Sequence, residues 1–252
     1  MLKILLSNDD GFDAIGINIL YEELNKIAEV CVIAPEINQS GAGSSITTKR
    51  PLKAESYGKN CFKVNGTPAD CVFLGLKELC PFIPDLVVTG INEGANMAED
   101  LLYSGTVGAA FEGMETSLPC LAISACHKQV HGIDIEPNFK TAALVAIDIL
   151  QNISSQKINP QITLNINVPN LEYSELKGIA ESKLGSWGIR NPPHVEIKSN
   201  GKTRYWVSHR SGHPQNDEDT DIMTVERGVV SVTPIKPNFL YTEKRILDSW
   251  LN

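Results

Sequence analysis

The sequence predicts an α/β protein: a three-layer, Rossmann-like, mostly parallel sheet covered by helices, followed by a C-terminal β-hairpin arm and a tail. Three observations carry this expectation. Over the first two thirds of the chain, short β-branched runs alternate with longer helical patterns, as parallel βαβ units require. After about Pro169 that alternation stops, and Trp187, Tyr205 and Trp206 appear among turn signals instead. The length of 252 residues suits one large α/β domain without requiring a second. Residues 1–182 and 221–240 are expected to form the core, 183–220 a β-rich arm and 241–252 the tail.

Lys3 to Leu6 reads as the first strand. Ile15, Ile19, Leu20, Leu24 and Ile27 then fall on one face of a helix, and Val30 to Ala34 reads as the second strand. Thr67-Pro68-Ala69-Asp70 has the spacing of a capping box with proline at the first helical position, opening a helix over Pro68 to Leu79. Later strands are expected at Leu86 to Thr89, Leu121 to Ser124 and Ile162 to Ile166, with helices over Val107 to Thr116 and Phe139 to Ile149. In the arm, Thr203 to Ser208 reads as a strand beside a turn at Asn200-Gly201, and Ser211 to Thr220 as a polar surface loop. Val229 to Val232 reads as another strand.

Composition excludes several function classes. The chain is 42% hydrophobic and 21% charged, and no apolar run approaches the roughly 20 residues of a membrane span. Asp9 and Asp10 stand where a signal peptide would carry its apolar stretch, so export is not expected and the cytoplasm is. The six cysteines include no C-x-x-C pair and read as reduced packing residues. A net charge of −8 argues against a nucleic-acid surface, which needs clustered Lys and Arg. A small anion remains compatible, because a bound cation reverses the field of one pocket.

In open α/β sheets, ligands bind beyond the carboxyl ends of the strands. Three polar, glycine-bearing segments fall there: Ser7-Asn8-Asp9-Asp10-Gly11, Asn38-Gln39-Ser40-Gly41-Ala42-Gly43, and Gly90-Ile91-Asn92-Glu93-Gly94-Ala95-Asn96. Asp9 and Asp10 are adjacent carboxylates, which repel unless solvated, hydrogen-bonded or bridged by a cation. One of them capping the following helix is the structural alternative. Ser40 and Asn92 add neutral oxygens, and all-oxygen ligation suits Mg²⁺, Mn²⁺ or Ca²⁺ better than Zn²⁺. Ser104-Gly105-Thr106-Val107 passes from a turn into a helix, where free N–H groups and the dipole favour an anion; ordinary N-capping is the alternative. The sequence holds no P-loop, no H-E-x-x-H and no G-x-S-x-G, and its five histidines share no metal-ligand spacing.

Together these motifs resemble the survival protein E (SurE) nucleotidases of bacteria and archaea. The resemblance also includes Ala34-Pro35, Gly66-Thr67-Pro68-Ala69-Asp70-Cys71-Val72, Tyr103-Ser104-Gly105-Thr106-Val107, Thr220-Asp221 and Gly228-Val229-Val230-Ser231-Val232-Thr233-Pro234, and so spans nearly the whole chain. It implies a divalent cation, Mg²⁺ or Mn²⁺, on Asp9, Asp10, Ser40 and Asn92, with Asp9 and Asp10 catalytic. It also implies a substrate phosphate at Asn96, Ser104, Gly105 and Thr106. The implied activity is hydrolysis of nucleoside 5′-monophosphates, and in some members of 3′-nucleotides or short polyphosphate, by a metal-activated water. The implied assembly is a homodimer or homotetramer built through C-terminal elements. Ser186-Trp187 and Met223-Thr224 depart from the family pattern, outside the metal motif.

Two readings compete with this one. A nucleotide-sensing module that keeps the pocket without turnover would be marked by loss of an acidic ligand, and both Asp9 and Asp10 are present. A dinucleotide enzyme would carry G-x-G-x-x-G after the first strand, where Asn-Asp-Asp-Gly stands instead.

Overall fold

The computed structural model describes residues 1–130, 133–153, 159–208, 210 and 216–238. The expected tail with Trp250, the histidines at 131, 209 and 213, and the first half of the polar loop after Ser211 lie outside the described residues.

The chain opens with β1 (Leu2–Ser7), α1 (Ile15–Leu24) and β2 (Ala28–Pro35), then adds the short strands β3 (Ala54–Ser56) and β4 (Cys61–Val64). Next come α2 (Pro68–Leu74) with a π-turn over Gly75–Leu79, β5 (Leu86–Glu93), a 3₁₀ turn (Ala98–Leu102) and α3 (Gly105–Glu112). β6 (Cys120–Ala125), the small pair β7 (Lys128–Val130) and β8 (Ile133–Ile135), α4 (Phe139–Ile153) and β9 (Thr163–Val168) follow. The last part holds β10 (Ile179–Glu181), β11 (His194–Ile197), β12 (Thr203–Trp206), α5 (Asp221–Glu226) and β13 (Val230–Ile235).

Among the described residues, nine strands form one sheet in the order β10-β13-β9-β6-β5-β1-β2-β4-β3. The run from β9 to β4 is parallel throughout; β13 joins it antiparallel to β9, and β3 antiparallel to β4. Strand alternation builds the three layers. Ile4 and Leu6 of β1 face a core with Ile17, Leu20, Ala142 and Ala146 of α1 and α4. Leu5 faces the opposite core with Val72, Val107 and Ala110 of α2 and α3. From β1 the chain steps to β2 on one side, while β5 pairs β1 on the other. The carboxyl ends of β1 and β5 therefore flank the point where strand order reverses, and that is where a crevice opens.

Several expectations need correction in detail. The buried face of α1 is formed by Gly16, Ile17, Leu20, Glu23 and Leu24; Ile15 is 61% exposed, and Ile27 lies past the end of the helix. The cause is a close approach. A Cβ on Gly16 would stand 2.1 Å from the Ile91 carbonyl oxygen, so the helix can meet β5 only on its glycine side. α3 begins at Gly105 and stops at Glu112, because Ser104 caps its start and Gly113 its end. The arm strand ends at Trp206, opposite His194; Pro192 and Pro193 have no N–H with which to extend the ladder.

The expected turn at Asn200-Gly201 closes the β11–β12 hairpin through Gly201 N–H to the Lys198 carbonyl at 2.9 Å. All six cysteines are free thiols. No described helix is long and apolar enough to cross a membrane.

Candidate active site

Asp9 and Asp10 follow β1, at the reversal point, and neither caps a helix. The N-cap of α1 is Ala14, with no side-chain cap. The adjacent pair is instead held by groups from three other segments.

Asp9 is buried, and its Oδ1 accepts a hydrogen bond from the Thr106 hydroxyl at 2.5 Å. Burial lifts its carboxyl above the usual range; the Thr106 hydroxyl and the backbone N–H groups of Gly105 and Thr106 pull the other way. Its carboxylate thus sits at the positive end of α3. Gly105 makes this possible, since a Cβ there would lie 2.7 Å from the Asp9 Cβ and 2.9 Å from its Oδ2.

Asp10 stands nearer solvent. Its Oδ2 accepts from the Glu93 N–H at 3.0 Å, and Asn38 Nδ2 stands 3.5 Å from its Oδ1. Its pKa is pushed up to about 6 by burial first and by the Asp9 charge second.

Ser40 is exposed on the loop after β2, with its N–H donated to Asn38 Oδ1 at 2.8 Å. That loop is pinned at both ends of the site: Gln39 N–H donates to the Asp9 carbonyl at 2.7 Å, and Gly43 N–H to the Tyr103 carbonyl at 3.1 Å. Asn92, near the end of β5, donates Nδ2 to the Gly94 carbonyl at 2.7 Å, which orients its amide and leaves Oδ1 as the open end.

Asn96 lies in a buried amide network. Its Nδ2 donates to Ser124 Oγ at 2.9 Å, its N–H to Asn167 Oδ1, and its carbonyl accepts from Asn165 and Asn167. Ser104 caps α3, its Oγ accepting from Val107 N–H at 3.1 Å.

Sequence reasoning missed the roles of Thr106 toward Asp9, of the Glu93 N–H toward Asp10, and of Asn165 and Asn167 toward Asn96. Only the last left a signal: two fully buried asparagines, Asn165 and Asn167, alternate with Leu164, Ile166 and Val168 along β9. The capping box did announce itself, for Thr67 Oγ1 accepts from Asp70 N–H while Asp70 accepts from Thr67 N–H.

Two adjacent carboxylates, a hydroxyl and an amide oxygen make a hard donor set of the kind Mg²⁺ or Mn²⁺ takes. A cation there would also relieve the repulsion that raises Asp10. The described residues gather no cluster of three or more His, Cys, Asp or Glu, so the neutral oxygens of Ser40 and Asn92 would be needed.

A family model described as "Survival protein SurE" matches residues 4–191. A "5'-nucleotidase SurE" of Haemophilus influenzae (strain PittGG) is 41% identical over 251 residues, covering 99% of this chain and 98% of that protein. Another of the same name, from Methylobacillus flagellatus, is 37% identical over 99% of both chains. Among solved structures, the SurE protein of Aquifex aeolicus superposes with a TM-score of 0.83 at 38% identity, over 99% of both chains.

Proposed function

The chain belongs to the SurE family, and from that membership and the site geometry we propose that it is a metal-dependent 5′-nucleotidase, a phosphoric monoester hydrolase. The observation that carries the proposal is the convergence of Asp9, Asp10 and Asn92 where strand order reverses, beside the start of α3. Its substrates are nucleoside 5′-monophosphates, with 3′-nucleotides and short polyphosphate as the wider range to test.

Asp9, Asp10, Ser40 and Asn92 would hold the cation. Mg²⁺ or Mn²⁺ there supplies charge neutralisation at the phosphate and a lowered pKa for the attacking water. Asp9, fixed by Thr106 and the α3 terminus, is the anchor. Among the described residues Asp10 Oδ1 has only the long Asn38 contact, and we assign it the proton of the water that attacks phosphorus in line. The same fixation disfavours Asp9 as a covalent nucleophile, since its carboxylate is not free to turn. Asn96, Ser104, Gly105 and Thr106 would seat the phosphate, where the dipole of α3 favours an anion.

The proposed assembly is a homodimer or homotetramer, and the arm supports it. Every residue of strands β11 and β12 is exposed, and Val195, Ile197 and Tyr205 share one face of the hairpin. A lone two-stranded hairpin is marginal in water, so a second copy packing on it would stabilise both. Trp187 does not belong to that surface: it packs in its own subunit with Met97, Ala98 and Ile222, donating Nε1–H to the Met97 carbonyl at 3.2 Å.

The test is phosphate release from each nucleoside monophosphate, from 3′-nucleotides and from polyphosphate, with Mg²⁺ and Mn²⁺ supplied in turn. Phosphate release from nucleoside 5′-monophosphates that needs added metal is expected. A protein that binds these nucleotides without turnover would instead be a sensing module.

A further inference from the structure

Asparagine inside a strand costs stability unless its amide is hydrogen-bonded, and β9 buries two of them completely, Asn165 and Asn167. Alternation puts both on one face of the sheet. The register sets Asn167 abreast of Ser124 on β6, and Ser124 abreast of Asn92 on β5, so Asn92, Ser124 and Asn167 form one transverse row. That row runs from a candidate metal ligand into the far half of the sheet.

The buried side chains of the row converge on Asn96, in the loop between β5 and the 3₁₀ turn. Asn165 Nδ2 donates to the Asn96 carbonyl at 2.8 Å, and Asn167 Nδ2 to the same oxygen at 3.0 Å. The Asn96 N–H donates to Asn167 Oδ1 at 2.8 Å. Side chains thus take both lone pairs of the carbonyl and the N–H, which a helix or strand would satisfy with backbone. Asn96 Nδ2 is held as well, donating to Ser124 Oγ at 2.9 Å. Two residues on, Ala98 adopts a φ of +52°, uncommon outside glycine, and the Asp221 carboxylate accepts its N–H at 2.9 Å. Side chains from β6, β9 and α5 therefore impose the shape of this loop.

Anchoring the loop would need only the bonds to its backbone. The Ser124 bond also fixes the Asn96 amide. Nδ2 carries two hydrogens, and among the described residues only Ser124 takes one, which leaves the other as a donor of set direction. A dianionic phosphate only accepts hydrogen bonds, so a fixed donor is what its seat requires. We infer that Ser124, Asn165 and Asn167 are positioning residues for phosphoryl transfer: fully buried, they act through Asn96 and present its remaining Nδ2–H to the substrate phosphate. This rests on the nucleotidase reading, which places Asn96 on the phosphate side of the site.

The experiment uses the full chain loaded with Mg²⁺, with inorganic phosphate as the probe. Phosphate is titrated calorimetrically into wild type, Ser124→Ala, Asn165→Leu, Asn96→Ala and the double variant of the last two. Its affinity is expected to fall about tenfold in Asn96→Ala, the usual worth of one hydrogen bond to a charged group, and comparably in Asn165→Leu. In the double variant the loss should equal that of Asn96→Ala alone, because a displaced loop then has no donor left to misdirect. Inhibition of nucleoside 5′-monophosphate hydrolysis by phosphate should weaken in step, while Mg²⁺ affinity stays at the wild-type value. Ser124→Ala removes a single oxygen and keeps the test open if Asn165→Leu does not fold.

Unchanged phosphate affinity in Ser124→Ala and in folded Asn165→Leu would overturn the inference and leave the buried amides as loop anchors. So would losses that add in the double variant. A wild type that binds phosphate, more weakly in Ser124→Ala and Asn165→Leu, but releases none from any nucleotide would keep the positioning role and sink the nucleotidase reading instead.

Discussion

The Thr106 hydroxyl donates to Oδ1 of Asp9 at 2.5 Å, across 97 residues of sequence, and ties the first turn of α3 to the loop after β1. Thr106 is fully buried. Its nearest role in the molecule is thus to position a carboxylate, and a substrate phosphate would meet it in that setting. Thr106→Ala leaves a buried carboxylate short of a donor, a loss of about 1–3 kcal/mol. We expect turnover and metal affinity to fall with it, and Thr106→Ser to recover both. Isothermal metal titration on the three proteins checks this; equal metal affinity in Thr106→Ala would contradict the positioning role.

Gly105→Ala is the sterically severe counterpart. The added Cβ would stand 2.7 Å from the Cβ of Asp9, which is buried and has nowhere to retreat. A cost of about 1–3 kcal/mol from overpacking is expected, with activity per folded molecule down at least tenfold. Denaturant unfolding and phosphate release, measured on one preparation, separate the two effects. Normal specific activity would mean that Asp9 tolerates displacement.

The raised Asp10 pKa fixes the sign of two pH effects. Its folded value of about 6 lies above its ordinary one of 3.8, so the folded chain binds more protons than the unfolded chain between them. Metal-free protein should therefore lose stability as pH rises from about 4 through 6. Cation affinity should behave oppositely, falling about tenfold per unit below about pH 6 as a proton competes for Asp10. Thermal melts and metal titrations from roughly pH 3.5 to pH 8, bracketing that window, provide the check. Metal affinity that stays flat across this range would exclude Asp10 as a ligand.

The hairpin predicts an oligomer. Light scattering at micromolar concentration should give at least twice the 27.5 kDa of one chain. Replacing Val195 and Tyr205, which pair across β11 and β12, with Glu and Lys should shift the particle toward monomer. A wild-type monomer would remove the proposed assembly.

The sheet was legible in the sequence because its central strands are buried on both faces and so read as continuous apolar runs, Leu86 to Val88 and Leu121 to Ile123 among them. β3, β10 and β11 were not, since three or four mostly exposed residues carry no period to detect. The face of α1 was misassigned because isoleucine at 15 and 27 outweighed a glycine, whereas packing chose the glycine at 16. In the site, the paired Asp9 and Asp10 stood out as charge where none is cheap. The partners that fix them did not, because a hydroxyl at position 106 and a backbone N–H at 93 look ordinary until the fold brings them to β1.

If Asp9 and Asp10 hold a cation on which turnover depends, activity must follow metal content and the Asp10 charge. Wild type and Asp10→Asn are freed of metal with chelator, metal content is verified, and phosphate release from a nucleoside 5′-monophosphate is followed before and after Mg²⁺ or Mn²⁺ is returned. No turnover is expected without metal, with recovery in wild type and a loss of at least roughly tenfold in Asp10→Asn at saturating metal. Because the variant also removes the repulsion beside Asp9, it should be no less stable than metal-free wild type. Full activity in verified metal-free protein, or an Asp10→Asn protein as active as wild type, would contradict this role for the cation.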